Sequence, residues 1–497
     1  MDSMMERDSA MASFAFRGSR EPVTLLEDSF FRVRQLVPSL VPAVVDALRA
    51  DPYVSPSTGG IDSDTEYAYC ATTQKCHVWR ATSAAPTCFV FPVPSSSSGE
   101  SSPPHCVLLP RPLNASAEPA VLLCTSDGQL CFWNAVSDAF TIDSNTSLDV
   151  CVPLQTNERI TTAARVDSSQ ALLGTSHARL FSVRVFMHRG EYQVVPTVLS
   201  ESRGLLGRWF GGNSHPIGGT GTECAISSLV VGPAGTDMHC LVLAVSARHV
   251  QFWCVPMAMG STVPGTPRLV NADMGIHRTL ASRILYARGQ RYSAADAMSI
   301  EILDAAFVLN EEEFVVLYVD RSVPSTTSYG LALIDVPKEP GTSLTPRQII
   351  PLRFQGANDP RPGARPRLHV AGTQPSVAFI SFGRAVIVQL LSDPCGSDEI
   401  LQLRHGADHI LGSCVAVSDS DARWKALTAT SGIWMVDFHV PYAQQQAIEY
   451  VSSSHGLERL TAVNNQHLLA RWTRRLATCK SASRARFGSM MLHTHSN

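Results

Sequence analysis

Charge is scarce in this sequence. Only 17% of its 497 residues are Asp, Glu, Lys or Arg, against ~25% in an ordinary soluble domain. The formal net charge is −3, so the chain carries no electrostatic footprint for direct nucleic-acid binding. No apolar run approaches the ~20 residues of a membrane-crossing helix; Phe314–Val319 is among the longest. The N-terminal MDSMMERDSAMASF has no apolar stretch like that of a signal peptide, which points to a reducing compartment. Cysteine usage agrees: the 13 thiols are odd in number and form no C-x-x-C pair. Cys70, Cys124, Cys131, Cys240 and Cys254 sit inside strand patterns, so buried free thiols are expected rather than disulfides or metal ligands. The sequons at Asn114 and Asn145 carry no weight without secretion.

Catalytic signatures are missing too. There is no G-x-x-x-x-G-K-[ST] phosphate loop, no G-x-S-x-G elbow and no H-E-x-x-H pair. Asp62/Asp64 and Asp419/Asp421 lack the spacing of a calcium loop and read as solvated turn residues. The 16 histidines are scattered. No enzyme, catalytic residue, cofactor, metal or small-molecule substrate is expected.

What the sequence does have is a repeat. Ala120–Trp133, AVLLCTSDGQLCFW, is two short apolar runs around a Ser-Asp-Gly turn, the pattern of a tight hairpin. It recurs at Glu66–Trp79, Gln170–Val183, Cys240–Trp253, Phe314–Val319 with Gly330–Val336, Ser376–Gln389 and Trp424–Phe438. Three copies end in tryptophan (Trp79, Trp133, Trp253), and spacing is roughly 50 to 80 residues. Further strand candidates flank most hairpins, such as Cys106–Pro110, Ile160–Val166, Ile226–Gly232 and Arg367–Gly372. About four strands per unit is the content of a propeller blade. The expected fold is all-β: a seven-bladed β-propeller over residues 21–440, after a disordered N-terminus (1–20) and before a partly helical, basic tail (441–497). Phe30–Leu36 alternates as a strand and is expected to close the ring as the outer strand of the last blade. Ala43–Arg49 and Arg278–Gly289 read as helices, the latter either a partner site or a long crossover, with the crossover favoured. An insertion between Pro324 and Tyr329 lengthens the fifth hairpin.

One loop departs from the usual polarity. Val198–Glu223 carries Leu205, Leu206, Trp209 and Phe210 together, which share a face if Leu199–Phe210 is helical. Such a short, Gly-containing helix is unstable in water but can fold at a membrane interface. With little positive charge nearby, binding would rest on packing defects of curved bilayers. The same side chains could instead tuck onto the ring or dock a protein.

Taken together, Gly59–Trp79 (GGIDSDTEYAYCATTQKCHVW), Ser293–Val308, Asp408–Phe438 and the placing of the amphipathic loop between the third and fourth units resemble the N-terminal propeller of nucleoporins of the 133/155 type, most of all the 133 member. The resemblance covers about Val23–Val440. It implies a non-enzymatic scaffold of the nuclear pore's Y-shaped complex, at the nuclear envelope, supporting nucleocytoplasmic transport of protein and mRNA. Its partners would be other Y-complex nucleoporins and the curved nuclear membrane, bound peripherally. Leu205, Leu206, Trp209 and Phe210 would make the membrane contact of a lipid-packing sensor. This loop is shorter than the family's and holds Arg208 and Pro216. The family also continues into a helical solenoid, so the chain reads as a fragment or a truncated product. The competing expectation is a soluble WD-repeat-like adaptor that binds proteins only. Against it, the blade-ending tryptophans are followed by Arg80, Asn134 and Cys254 rather than Asp, and no Gly-His signature occurs.

Overall fold

In the computed structural model each repeated hairpin lies within an antiparallel sheet, with one strand added on either side and, in the last sheet, a fifth strand at the edge. The chain divides into two units at Phe438. Residues 22–438 are described apart from internal stretches, the longest being 200–224; residues 1–21 and 439–497 lie outside the described residues. There are six four-stranded sheets and one of five strands, the seven blades of a propeller. Their inner strands are Ser57–Ile61, His105–Leu109, Ile160–Arg165, Ser228–Ala234, Ile300–Phe307, Arg367–Ala371 and Ile410–Ala416.

The burial pattern explains why the blades stack. Ala120–Cys124, Gln170–Thr175, Val377–Phe382 and Ala385–Leu390 are buried at every position, hence on both faces. A sheet that is apolar on both faces needs a neighbour on each side. Aromatic pairs bridge successive blades: Phe91–Trp133 at 4.9 Å, Phe132–Tyr192 at 5.6 Å, Phe252–Phe314 at 5.0 Å and Tyr329–Phe382 at 4.8 Å between ring centroids. Each such pair adds roughly 0.5–1.5 kcal/mol beyond the area it buries. Trp79, Trp133 and Trp253 are all in this buried layer.

Hydroxyls brace the turns inside the blades. The side chains of Thr125, Thr175 and Ser246 accept the backbone N–H of Gln129 (3.0 Å), Arg179 (3.1 Å) and His249 (3.2 Å). Thr72 and Thr428 do the same for Lys75 and Ser431 at 3.1 Å. Each bond is worth about 1 kcal/mol. Thr175 also donates to Glu158 at 2.6 Å, and the Glu158 carboxylate, fully buried, pairs with Arg179 at 2.8 Å. The segment entering blade 3 is thereby tied to that blade's own turn.

Closure follows the expected route and adds a strand. Phe31–Val37 pairs with Ile433–Phe438 as the fourth strand of blade 7, and Val23–Glu27 adds a fifth outside it. The helix Pro42–Leu48 then inserts Val44 beside Leu40, Leu427 and Trp79 at the seam between blades 7 and 1. Inner strands meet so closely there that a Cβ on Gly412 would lie 2.1 Å from the backbone oxygen of Gly59. Only glycine permits that approach.

Ser57–Ile61, STGGI, is a strand although its composition is that of a turn, because the seam requires its glycines. Leu148–Cys151, the outer strand of blade 2, was not anticipated. The lengthening expected between Pro324 and Tyr329 is taken up as strand: Glu313–Val323 and Thr326–Asp335 stay paired out to Val323 and Thr326, so the fifth hairpin is long. The helix Ile276–Ala287 is a crossover that buries Ile276, Leu280, Ala281, Ile284 and Leu285 in the core of blades 4 and 5.

Gly412→Ala forces a methyl group against backbone that has no rotamer to yield. Stability by urea unfolding should fall by about 2–3 kcal/mol; a loss under 0.5 kcal/mol would show that the seam is loose.

Candidate functional site

Seven inner strands around one axis leave a channel, here a cavity of about 430 Å³ lined from every blade. Side chains alternate along each strand, so every second residue faces the lumen. Its charged lining is Asp62, Arg165, Asp304, Arg365 and Arg367. Arg165 of blade 3 reaches past blade 2 to bind both Asp62 and Asp64 of blade 1, donating on the way to the Leu108 carbonyl at 3.2 Å. The two aspartates do hold their turn, with Asp62 accepting the N–H of Thr65 at 2.8 Å. They are also the anionic half of a bridge across the channel, which their reading as solvated turn residues missed.

On the far side, the Asp304 carboxylate is 3% exposed and accepts the N–H groups of Ala305 (2.9 Å) and Leu368 (2.8 Å), joining blades 5 and 6. Arg365 donates to the carbonyls of Leu303 (3.1 Å) and Ile302 (3.3 Å). Arg367 is exposed to the lumen and reaches the Ser228 hydroxyl of blade 4 at 3.4 Å. His369 meets the Ser413 hydroxyl at 2.9 Å, and His105 bonds to the Ile160 backbone. Burial, reinforced by the Arg367 charge, pushes both imidazoles down to about 4. Burial likewise raises the Tyr69 phenol, while Arg367 acts in the opposite sense.

Most of the described thiols are packing groups. Cys70, Cys76, Cys106, Cys124, Cys131 and Cys240 are buried and free, while Cys151 is exposed. Burial pushes Cys70 and Cys240 up to about 12, far from the thiolate form that nucleophilic or metal chemistry needs. Among the described residues no group of three His, Cys, Asp or Glu side chains could hold a metal ion, and no helix is long and apolar enough to cross a membrane.

Leu205, Leu206, Trp209 and Phe210 lie outside the described residues; the stems of their loop do not. The outer hairpin of blade 3, Leu180–His188 with Glu191–Leu199, pairs along its whole length to a two-residue turn at Arg189-Gly190, both at positive φ. Its outer strand ends at Leu199, opposite Leu180. The chain re-enters at Ile226, whose N–H donates to the Thr175 carbonyl at 3.0 Å. Both stems of 200–224 are thus fixed at one end of blade 3. Phe186, Met187, Val195 and Val198 are exposed on the same hairpin, although apolar groups of that size are ordinarily covered in a blade. Sequence periodicity could not find the channel set, since its members come from different blades. The available signal was Arg367-Leu-His369, two polar residues alternating with apolar ones in an otherwise buried strand.

The described residues form a closed seven-bladed β-propeller. A model of the nucleoporin family described as Nup133 N-terminal-like matches residues 27–401. The chain belongs to that family. The crystal structure of the Nup133 β-propeller domain of Vanderwaltozyma polyspora superposes with a TM-score of 0.60 at 15% identity, covering 84% of this chain and 100% of that one. The Nup170 N-terminal domain of Chaetomium thermophilum, solved with Nup53, aligns with a TM-score of 0.49 at 11% identity over 86% of this chain and 64% of that one. No individually curated protein matches the sequence.

The channel histidines set a pH dependence. The native chain keeps His105 and His369 neutral to about pH 4, whereas unfolded imidazole takes its proton near 6.5. Their contribution is therefore complete above pH 6.5 and is lost as pH falls toward 4. Allowing for water in the channel, about 2 kcal/mol per histidine should disappear by pH 4.5. Comparing urea midpoints at pH 7.5 and 4.5, His105→Gln/His369→Gln should show a clearly smaller drop than the unmodified chain; equal drops would contradict the assignment.

Proposed function

We propose that this nucleoporin propeller is a non-enzymatic scaffold module of the nuclear pore that touches curved nuclear-envelope membrane through residues 198–223. The observation that carries the reading is the anchoring of both stems of that segment. Leu199 sits in register with Leu180, and Ile226 is bonded to Thr175, at one end of blade 3. A rigid blade thus supports the two ends of a sequence that carries Leu205, Leu206, Trp209 and Phe210 with only weak charge. Insertion of four large apolar side chains into loosely packed lipid provides binding that depends on curvature more than on lipid charge. Val195 and Val198, on the strand that leads into this segment, are exposed.

Family membership supports the wider reading: a place in the Y-shaped scaffold beside other nucleoporins, at the nuclear envelope, with a part in protein and mRNA traffic through the pore. The membrane would be a peripheral partner of a protein assembly.

Flotation with liposomes of small and large radius tests it. The chain should float with small vesicles and scarcely with large ones, and Trp209→Asp/Phe210→Asp should reduce the floated fraction at least tenfold with an unchanged melting temperature. Absence of binding at any radius, or binding indifferent to the substitutions, would leave a propeller acting through protein contacts alone.

A further inference from the structure

The channel contains an electrostatic arrangement that the scaffold role does not require. Arg165 is neutralised by Asp62 and Asp64. Arg365 and Arg367 stand two residues apart, and neither has an ion pair among the described residues. Arg365 has only carbonyl acceptors; Arg367 has a single long contact with Ser228. Burial, and after it repulsion from the Arg367 guanidinium, lowers Arg365 from its ordinary value.

Nearby acidic groups do not relieve this fully. Asp304 attracts Arg365, but its two oxygens are each taken by a backbone N–H. Glu301 acts on Arg365 as a further attraction and is itself paired with Arg321 at 2.7 Å. Arg367 is also close enough to Tyr69, His105 and His369 for its charge to act on all three. One exposed cation therefore faces polar groups from blades 1, 2, 4 and 6 across a space of about 430 Å³. That volume is within the ~300–1,000 Å³ range of small-ligand sites.

We propose that the propeller channel is a binding site for a small tetrahedral oxyanion, a phosphate group, held by Arg367 and Arg365 with the Ser228 hydroxyl as a further donor. Guanidinium is suited to this because its planar fork presents paired N–H groups to two oxygens at once. Neutral His369, with the Ser413 hydroxyl on Nε2, can offer its other ring nitrogen as an N–H donor without adding charge. Asp304 sets an opposing field, which favours a compact anion centred on Arg367 over one lying against blade 5. The inference is independent of the membrane loop, which is attached at blade 3, and either can fail alone.

Isothermal titration of the full chain with inorganic phosphate, sulfate and glycerol phosphate, each against chloride at equal ionic strength, tests the site. Saturable binding at one site per chain is expected, at least tenfold weaker in Arg367→Met and several-fold weaker in Ser228→Ala. A gain for glycerol phosphate over phosphate and sulfate identifies an organic phosphate as the occupant; equal binding identifies the free anion. Lack of saturable binding, or binding by Arg367→Met equal to that of the unmodified chain, overturns the proposal. If Arg367→Met does not fold, Arg367→Gln and Ser228→Ala decide it by the same criterion.

Discussion

Everything in this propeller depends on each blade being apolar on both faces. A sheet such as blade 6, buried at every position of its two central strands, cannot end a stack without exposing a full hydrophobic face, and a closed ring is the arrangement that leaves none. Closure fixes what the N-terminus must do. Phe31–Val37 enters the last blade and Pro42–Leu48 plugs the seam, so residues from the beginning of the domain complete the blade at its end. The same constraint accounts for the Gly59/Gly412 approach, which appears at the seam where the ring is drawn shut.

Closure also leaves an axis that side chains from seven inner strands cannot fill. Apolar residues lining it would be exposed to water, and unpaired charges would repel one another. The chain bridges non-adjacent blades across the space: Arg165 spans blade 2 to pair with Asp62, and Arg367 spans blade 5 to reach the neutral Ser228 hydroxyl. These bridges hold blades together from inside while the aromatic pairs hold them from between. The outer edge remains available for function, and blade 3 uses it most, with a long hairpin whose exposed apolar residues lead toward 200–224.

The repeat was legible because its signal is local. Two apolar runs around a polar turn survive in all seven copies, and the N-terminal strand could be assigned to blade 7 since a ring of seven needs it. Strands with atypical composition were not legible. STGGI is extended because its neighbours leave no room for side chains, a cause that lies more than 300 residues away at Gly412. The bracing hydroxyls at Thr72, Thr125, Thr175, Ser246 and Thr428 were visible as residues, but their equivalence emerges only when the turns are superimposed in register. The channel was hidden for the same reason, since Arg165, Ser228 and Arg367 become neighbours only through the ring. Leu205, Leu206, Trp209 and Phe210 rest on sequence and on the anchoring of their stems.

Ring closure by the N-terminal strand can be measured directly. Val33 is 4% exposed in the strand that completes blade 7, and Val33→Asp puts a charge there. Unfolding in urea, followed by hydrogen exchange in blades 1, 2 and 4 around Trp79, Trp133 and Trp253, reports on the sheet across the seam and on two sheets far from it. A closed ring predicts that all three lose protection together, at a lower urea concentration than in the unmodified chain. Fraying confined to blade 7, with blades 1, 2 and 4 unchanged, would mean that the blades stand as an open stack and that closure is not what stabilises them.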